Sequence, residues 1–228
     1  MAIPPFRPSL FRFLRDLAKE NDRDWFQANK QRYDEEVKLP ALQFIAAFAK
    51  PLEKLSPHLV ADPRPSGGSL FRIHRDVRFS KDKSPYKTHT GIHFRHEAAK
   101  DAYAPGLYLH LEPKNVFVGA GIWHPDGPTT AAIRDAIVDD PAAWKKAAHG
   151  KAFRTVWDLD GESLKRPPRG YDADHPFIDD LKRKSFIAVA NLTEKDTCAN
   201  DFGTRLARDW KKAVPLLRFV TNALSLPF

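Results

Sequence analysis

Between residues 70 and 123 four consecutive stretches alternate apolar with polar side chains, a pattern that commits a chain to an antiparallel sheet with one apolar and one wet face. In the first, Phe71, Ile73, Val77 and Phe79 share one parity, and Leu70, Arg72, His74, Asp76 and Arg78 the other. In the next three, Thr90, Ile92 and Phe94 oppose Gly91, His93 and Arg95. Leu107, Leu109 and Leu111 oppose Tyr108, His110 and Glu112, and Val116, Val118, Ala120 and Ile122 oppose Phe117, Gly119, Gly121 and Trp123. Glu112-Pro113-Lys114-Asn115 is a predicted hairpin turn between the last two.

Helical spacing frames this meander on both sides. Ser9 is placed to cap a helix with Leu10, Phe13, Leu14 and Leu17 on one face. Asn21 or Asp22 separates it from a second helix carrying Trp25, Asn29 and Tyr33, and Pro40 opens a third that Pro51 should end or kink. After the meander, Thr129 and Asp140-Pro141 read as helix starts, and residues 153–157 and 185–190 read as further strands. Residues 201–224 read as a long helical stretch with Pro215 as a kink. The expectation is one α+β domain over 1–228: a helical part to about residue 60, a β-meander over 66–125, and helices with one or two further strands over 126–228. Its antiparallel sheet should have about four to six strands, with helices packed on one face.

The first alternating stretch carries unusual charge. From Arg72 to Lys87 there are six cations (Arg72, Arg75, Arg78, Lys81, Lys83, Lys87) against Asp76 and Asp82, a local surplus of four. Arg75 falls on the apolar parity, where an unpaired guanidinium would cost several kcal/mol, so it needs a carboxylate, a carbonyl or a bound anion. Gly67-Gly68-Ser69 before the stretch and Ser84-Pro85 after it mark turns with exposed backbone N–H groups that suit phosphate oxygens. Arginines at alternate positions present forks to one region of space, and Arg suits phosphate or carboxylate bidentately. A second basic cluster, Lys165, Arg166 and Arg169, lies in a Pro-rich loop ending at Tyr171, which could stack on a base or sugar. A third run, Lys182-Arg183-Lys184, fits a helix C-terminus.

The totals bound the partners. With 228 residues, a net charge of +8 and a single cysteine, Cys198, the chain admits no internal disulfide and no cysteine-based zinc site, and its potential favours acidic partners. No apolar run reaches the roughly 18 residues of a membrane span. The N-terminus lacks a signal-peptide core, so a cytoplasmic protein is expected.

On the wet face, His74, His93 and His110 come from three neighbouring stretches, with Asp76 or Glu112 beside them, in a pattern that can hold a metal. The surrounding arginines oppose it, and no metal ligands are assigned. There is no G-x-S-x-G, Walker A, H-E-x-x-H or G-x-G-x-x-G string. Ser80-Lys81-Asp82-Lys83 satisfies S-x-x-K only by coincidence, because Pro85 forbids the helix which that motif needs.

Several segments together resemble the family of domain of unknown function 2461. They are Asn21-x-Arg23-x-Trp25-Phe26-x-x-Asn29-Lys30, the run Gly68 to Lys87, Gly119-Ala120-Gly121-Ile122-Trp123, and Leu164-Lys165-Arg166-Pro167-Pro168-Arg169-Gly170-Tyr171. The likeness spans nearly the whole chain and implies no activity, cofactor or catalytic residue. It does imply that the central Arg/Lys run and the Arg-Pro-Pro-Arg loop are signature segments.

The leading expectation is a site for an anionic, phosphate-bearing small molecule formed by Arg72, Arg75, Arg78, Lys81, Lys83, Tyr86 and Lys87. Arg166, Arg169 and Tyr171 would close over it, and Trp25 or Tyr86 would supply a stacking wall. The alternatives are a nucleic-acid-binding module, an enzyme (metal-dependent or using Asp76 as base), and a purely structural ion-pair network.

Overall fold

Leu10, Phe13, Leu14 and Leu17 recur at helical spacing, and in the computed structural model, which describes residues 3–98 and 104–228, they form the buried stripe of α1 (Pro8–Lys19). Pro8, not Ser9, starts this helix: a proline at the first position sacrifices no hydrogen bond, and Arg7 holds the N-cap place without a side-chain bond. Asp22 caps α2 (Arg23–Ala28) by accepting from the Trp25 N–H at 2.8 Å. The expected second helix breaks at Asn29. It resumes as α3 (Lys30–Tyr33) and a π-helical turn, Asp34–Lys38, that runs into α4 (Leu39–Glu53) with Pro51 near its end.

The sheet contains β1 (Thr90–Arg95), β2 (Gly106–Glu112) and β3 (Asn115–Ile122) as a meander. Then come α5 (Gly127–Asp139), α6 (Pro141–His149), α7 (Lys151–Arg154), β4 (Asp158–Asp160), α8 (Ile178–Leu181), β5 (Phe186–Leu192), α9 (Glu194–Thr197) and α10 (Phe202–Ala223). Strand order is β1-β2-β3-β5-β4, every pair antiparallel. Pro113 and Lys114 alone join β2 to β3, with Lys114 at φ +67° because Pro113 cannot supply the positive φ.

Two further local expectations are corrected. Residues 153–157 are not a strand: Phe153, Val156 and Trp157 are spaced for one helical face, Gly150 opens α7, and the strand begins only at Asp158. Asp126, not Thr129, caps α5, accepting from the Thr129 N–H at 2.9 Å.

The largest departure is at 70–79, which forms no regular strand but makes single bridges, Leu70 to Ile92 and His74 to Tyr86. The Phe71 N–H donates to Gly91 O at 3.0 Å, whereas the Lys87 N–H donates to Ile73 O at 2.7 Å, so three residues on one side face five on the other. A slip of two alone would keep the parity; the interrupted ladder between the two bonds is what releases the side chains from strict alternation. Leu70 and Ile73 both enter the core, Phe71 faces the opposite side, and Phe79 stands 96% exposed.

Ile92, Phe94, Leu107, Leu109, Leu111, Val116, Val118 and Ala120 put their side chains on one sheet face, into a continuous core with α1, α4 and α10. At its centre Phe48 of α4 stacks on Phe94 of β1 (centroids 5.4 Å), and both meet the Trp210 ring of α10 edge-on at 5.2 and 5.7 Å. Pro215 lies inside α10, which continues unbroken to Ala223. No helix among the described residues is long and apolar enough to cross a membrane.

Because Phe48 is fully buried in contact with both partners, Phe48→Ala is expected to cost about 3–5 kcal/mol. Urea unfolding checks this; a loss below about 1 kcal/mol would mean that the three rings do not tie the helices to the sheet.

Candidate functional site

The opposite face of the sheet bears His93 on β1, Tyr108, His110 and Glu112 on β2, and Phe117 and Gly119 on β3. Register sets His93 beside Tyr108, and His110 between Gly91 and Phe117. The His110 ring stacks on Phe117 with centroids 4.5 Å apart, and Tyr108 Oη lies 3.0 Å from its Nδ1. Glycine is required at Gly91, where a Cβ would meet Tyr108 Oη at 2.6 Å. From the edge, Phe71 completes the face, its ring 6.0 Å from His93 and 5.9 Å from Tyr108.

The slipped register also brings in a residue that the alternation pattern had not flagged. His89 lies at the middle of the five-residue side, and its ring centroid is 4.5 Å from that of His110. Glu112 joins the two: His110 Nε2 is 3.3 Å from its Oε2, which also accepts from Asn115 Nδ2 at 2.8 Å, while Oε1 accepts from Thr88 Oγ1 at 3.1 Å. The available signal was parity, since His89 shares it with Gly91 and His93.

Electrostatics follow from burial. Desolvation pushes His89 down to about 4, assisted by the charges of His110 and Lys87. It does the same to His93, to about 4, with a smaller push from Arg95. Burial likewise raises the Tyr108 hydroxyl, helped by Glu112. Burial would raise Glu112, but the hydrogen bonds from Asn115, His110 and Thr88 outweigh it and its pKa is lowered.

The basic run divides. Arg75 finds the carboxylate its position demands: it pairs with Asp82 and reaches Ser84 O at 3.3 Å, and hydrogen bonds from Ser84, joined by Arg75, hold Asp82 well below the usual carboxylate range. Arg78 pairs with Asp76 at 2.6 Å. Lys83 Nζ donates to Val77 O at 3.0 Å, and Lys81 is exposed. Tyr86 is buried, stacked on Phe26 at 4.0 Å, and its backbone is clamped by Asn21, which donates to Tyr86 O at 3.0 Å and accepts from its N–H at 3.1 Å. Trp25 packs on Phe13. Ser69 donates its N–H to Asp62 O at 2.8 Å, so this turn amide is engaged within the chain.

Arg72 and Lys87 behave differently. Neither makes a salt bridge or a side-chain hydrogen bond among the described residues, and Lys87 Nζ stands 5.4 Å from the Phe71 ring centroid. Burial lowers the Lys87 pKa, and the nearby Arg72 charge lowers it further. Arg72 also acts on Asp76, which already belongs to Arg78.

The loop carrying Lys165, Arg166 and Arg169 attaches elsewhere. Tyr171 Oη donates to Asp135 of α5 at 2.8 Å, and Ser163 bridges Arg183 beside β5. The Gly67–Lys87 segment attaches at β1, the other end of the strand order, so these two basic clusters do not converge. The predicted position of Lys182-Arg183-Lys184 after a short helix is observed; Arg183 Nε donates to buried Asp180 at 2.9 Å. His74, expected beside His93 and His110, instead lies against Tyr86 at 5.2 Å.

The profile of one protein family, described as conserved hypothetical protein (DUF2461), matches residues 9–219. No curated protein and no solved structure matches the chain.

The depressed His93 pKa sets an acid limit on stability. Between about pH 6.5 and 4 the unfolded chain takes up a proton that the folded imidazole refuses, so stability is present above 6.5 and is lost as pH falls towards 4. The loss is up to about 3 kcal/mol. His93→Gln is expected to flatten this part of the pH–stability curve in chemical denaturation; an unchanged slope would place the titration elsewhere.

Proposed function

Because the chain belongs to the family of conserved hypothetical proteins DUF2461, whose description names no reaction, we propose its function from the site itself: it binds an anionic, phosphate-bearing small molecule on the face of the sheet opposite α1, α4 and α10. Arg72 and Lys87 supply the charge. Phe71, Tyr108 and Phe117 supply an aromatic floor for the remainder of the ligand, and Lys81 and Lys83 are exposed in the adjoining 76–84 loop.

One contrast supports this reading. Arg75 and Arg78 have acids of their own, whereas Arg72 and the half-buried Lys87 are held near each other with no carboxylate within salt-bridge reach among the described residues. Two like charges crowded at a partly desolvated site raise the energy of the empty state, and an oxyanion between them removes the repulsion while accepting charge-assisted hydrogen bonds. Arg75 and Arg78 then act as supports, closing the 76–84 loop on itself. Arg166, Arg169 and Tyr171 have no part in the pocket.

Inorganic pyrophosphate titrated calorimetrically tests this. Arg72→Ala and Lys87→Ala should each weaken binding about tenfold or more, the loss of one charged hydrogen bond worth ~1.5–3 kcal/mol. Arg166→Ala/Arg169→Ala should leave it unchanged. Equal affinity in wild type and both single variants, or loss confined to the 166/169 variant, would overturn the proposal.

A further inference from the structure

We infer that His89, His110 and Glu112 form a site for one divalent transition ion of the zinc class, with a coordination position left for solvent or an anionic ligand. One donor atom from each residue lies within 4.8 Å of the other two. Donors about 2.1 Å from a shared ion in tetrahedral geometry stand about 3.4 Å apart, so side-chain shifts of about an ångström bring the set together.

The surroundings already resemble the support that metal ligands receive. His110 is fixed by stacking on Phe117 and by Tyr108 Oη at Nδ1, which leaves Nε2 directed at Glu112. Glu112 is oriented through both oxygens, by Thr88 and by Asn115. Without an ion, Nε2–H donates to Glu112 and Nδ1 accepts from Tyr108; in the other tautomer Nδ1–H donates to Tyr108 Oη, which frees the Nε2 lone pair, 3.3 Å from the Glu112 carboxylate, for an ion.

His89 supplies the independent observation: its half-buried ring makes no hydrogen bond among the described residues, yet it is turned toward the same point. Two imidazoles and one carboxylate favour zinc, cobalt, iron or nickel over magnesium and calcium, which prefer all-oxygen sets.

Lys87 and Arg72 oppose a bare cation by simple repulsion, and an anion bridging them to the ion would offset it. Such coupling would make metal and phosphate affinities rise together. Only the coupling rests on the anion reading; the ion site stands on its own three residues.

Cobalt(II) added to chelator-treated protein is the test, read by visible absorption and by calorimetry without phosphate. The expected result is one ion per chain, with affinity reduced more than about 10–100-fold in His89→Ala and in Glu112→Gln, and Tyr108→Phe weakened within that range. Magnesium should not compete. No binding to the wild type, or binding that survives in both ligand variants, overturns the inference. Should a variant fail to fold, X-ray absorption of the zinc-loaded wild type decides: two imidazole nitrogens and a carboxylate oxygen are expected, and a shell lacking histidine refutes the site. Cobalt binding without pyrophosphate binding would remove only the anion proposal, and the reverse result only this one.

Discussion

The one-sided placement of apolar side chains on the sheet is the constraint on which everything else depends. Alternation along β1, β2 and β3 sends Ile92, Phe94, Leu107, Leu109, Leu111, Val116 and Val118 toward α1, α4 and α10, where Phe48, Phe94 and Trp210 lock the layers. The same alternation obliges His93, Tyr108, His110 and Glu112 to stand together on the other side. A polar, aromatic face therefore follows from the core and needs no separate explanation; its chemistry is what the short edge segment adds to it.

That segment is shaped by a conflict between pairing and length. Leu70 and Ile73 both have to reach the core, but they are three residues apart, an odd spacing that a flat strand cannot serve. Interrupting the ladder between Phe71 and Ile73, so that the segment is held by isolated bridges and not as a continuous strand, satisfies both. It also leaves Thr88 and His89 over Glu112 and His110, and Lys87 beside Arg72. Asn21 pins the far side by holding both backbone groups of Tyr86. Family membership, Asn21 and the basic run thus meet in one place: a motif residue that reads as a helix stop is also the clamp on the site.

Much of this was legible from residue patterns. The alternating strands β1 to β3, the Pro113-Lys114 hairpin, the α1 stripe and the long terminal helix all rest on local periodicity, which the tertiary structure respected. Failures came where a local rule had two readings. Phe153 and Trp157 fit alternation as well as helical spacing, and Gly150 tips the balance. Arg72 and Arg78 share the polar parity and Arg75 the apolar one, but Asp82 and Asp76 lie within the same loop and take Arg75 and Arg78, a matching that parity alone does not specify. His89 was missed because it lies in the bend just before β1, outside the alternating stretch, and the separation of the two basic clusters depends on strand order, which no local pattern encodes.

The most direct measurement of the central claim is a titration of isotopically labelled protein with inorganic phosphate, followed by backbone amide resonances. Shifts concentrated at residues 71–73 and 87–91, saturating together, are the expected outcome. Shifts confined to residues 165–171 or to the 76–84 loop, or none at all up to millimolar phosphate, would contradict it.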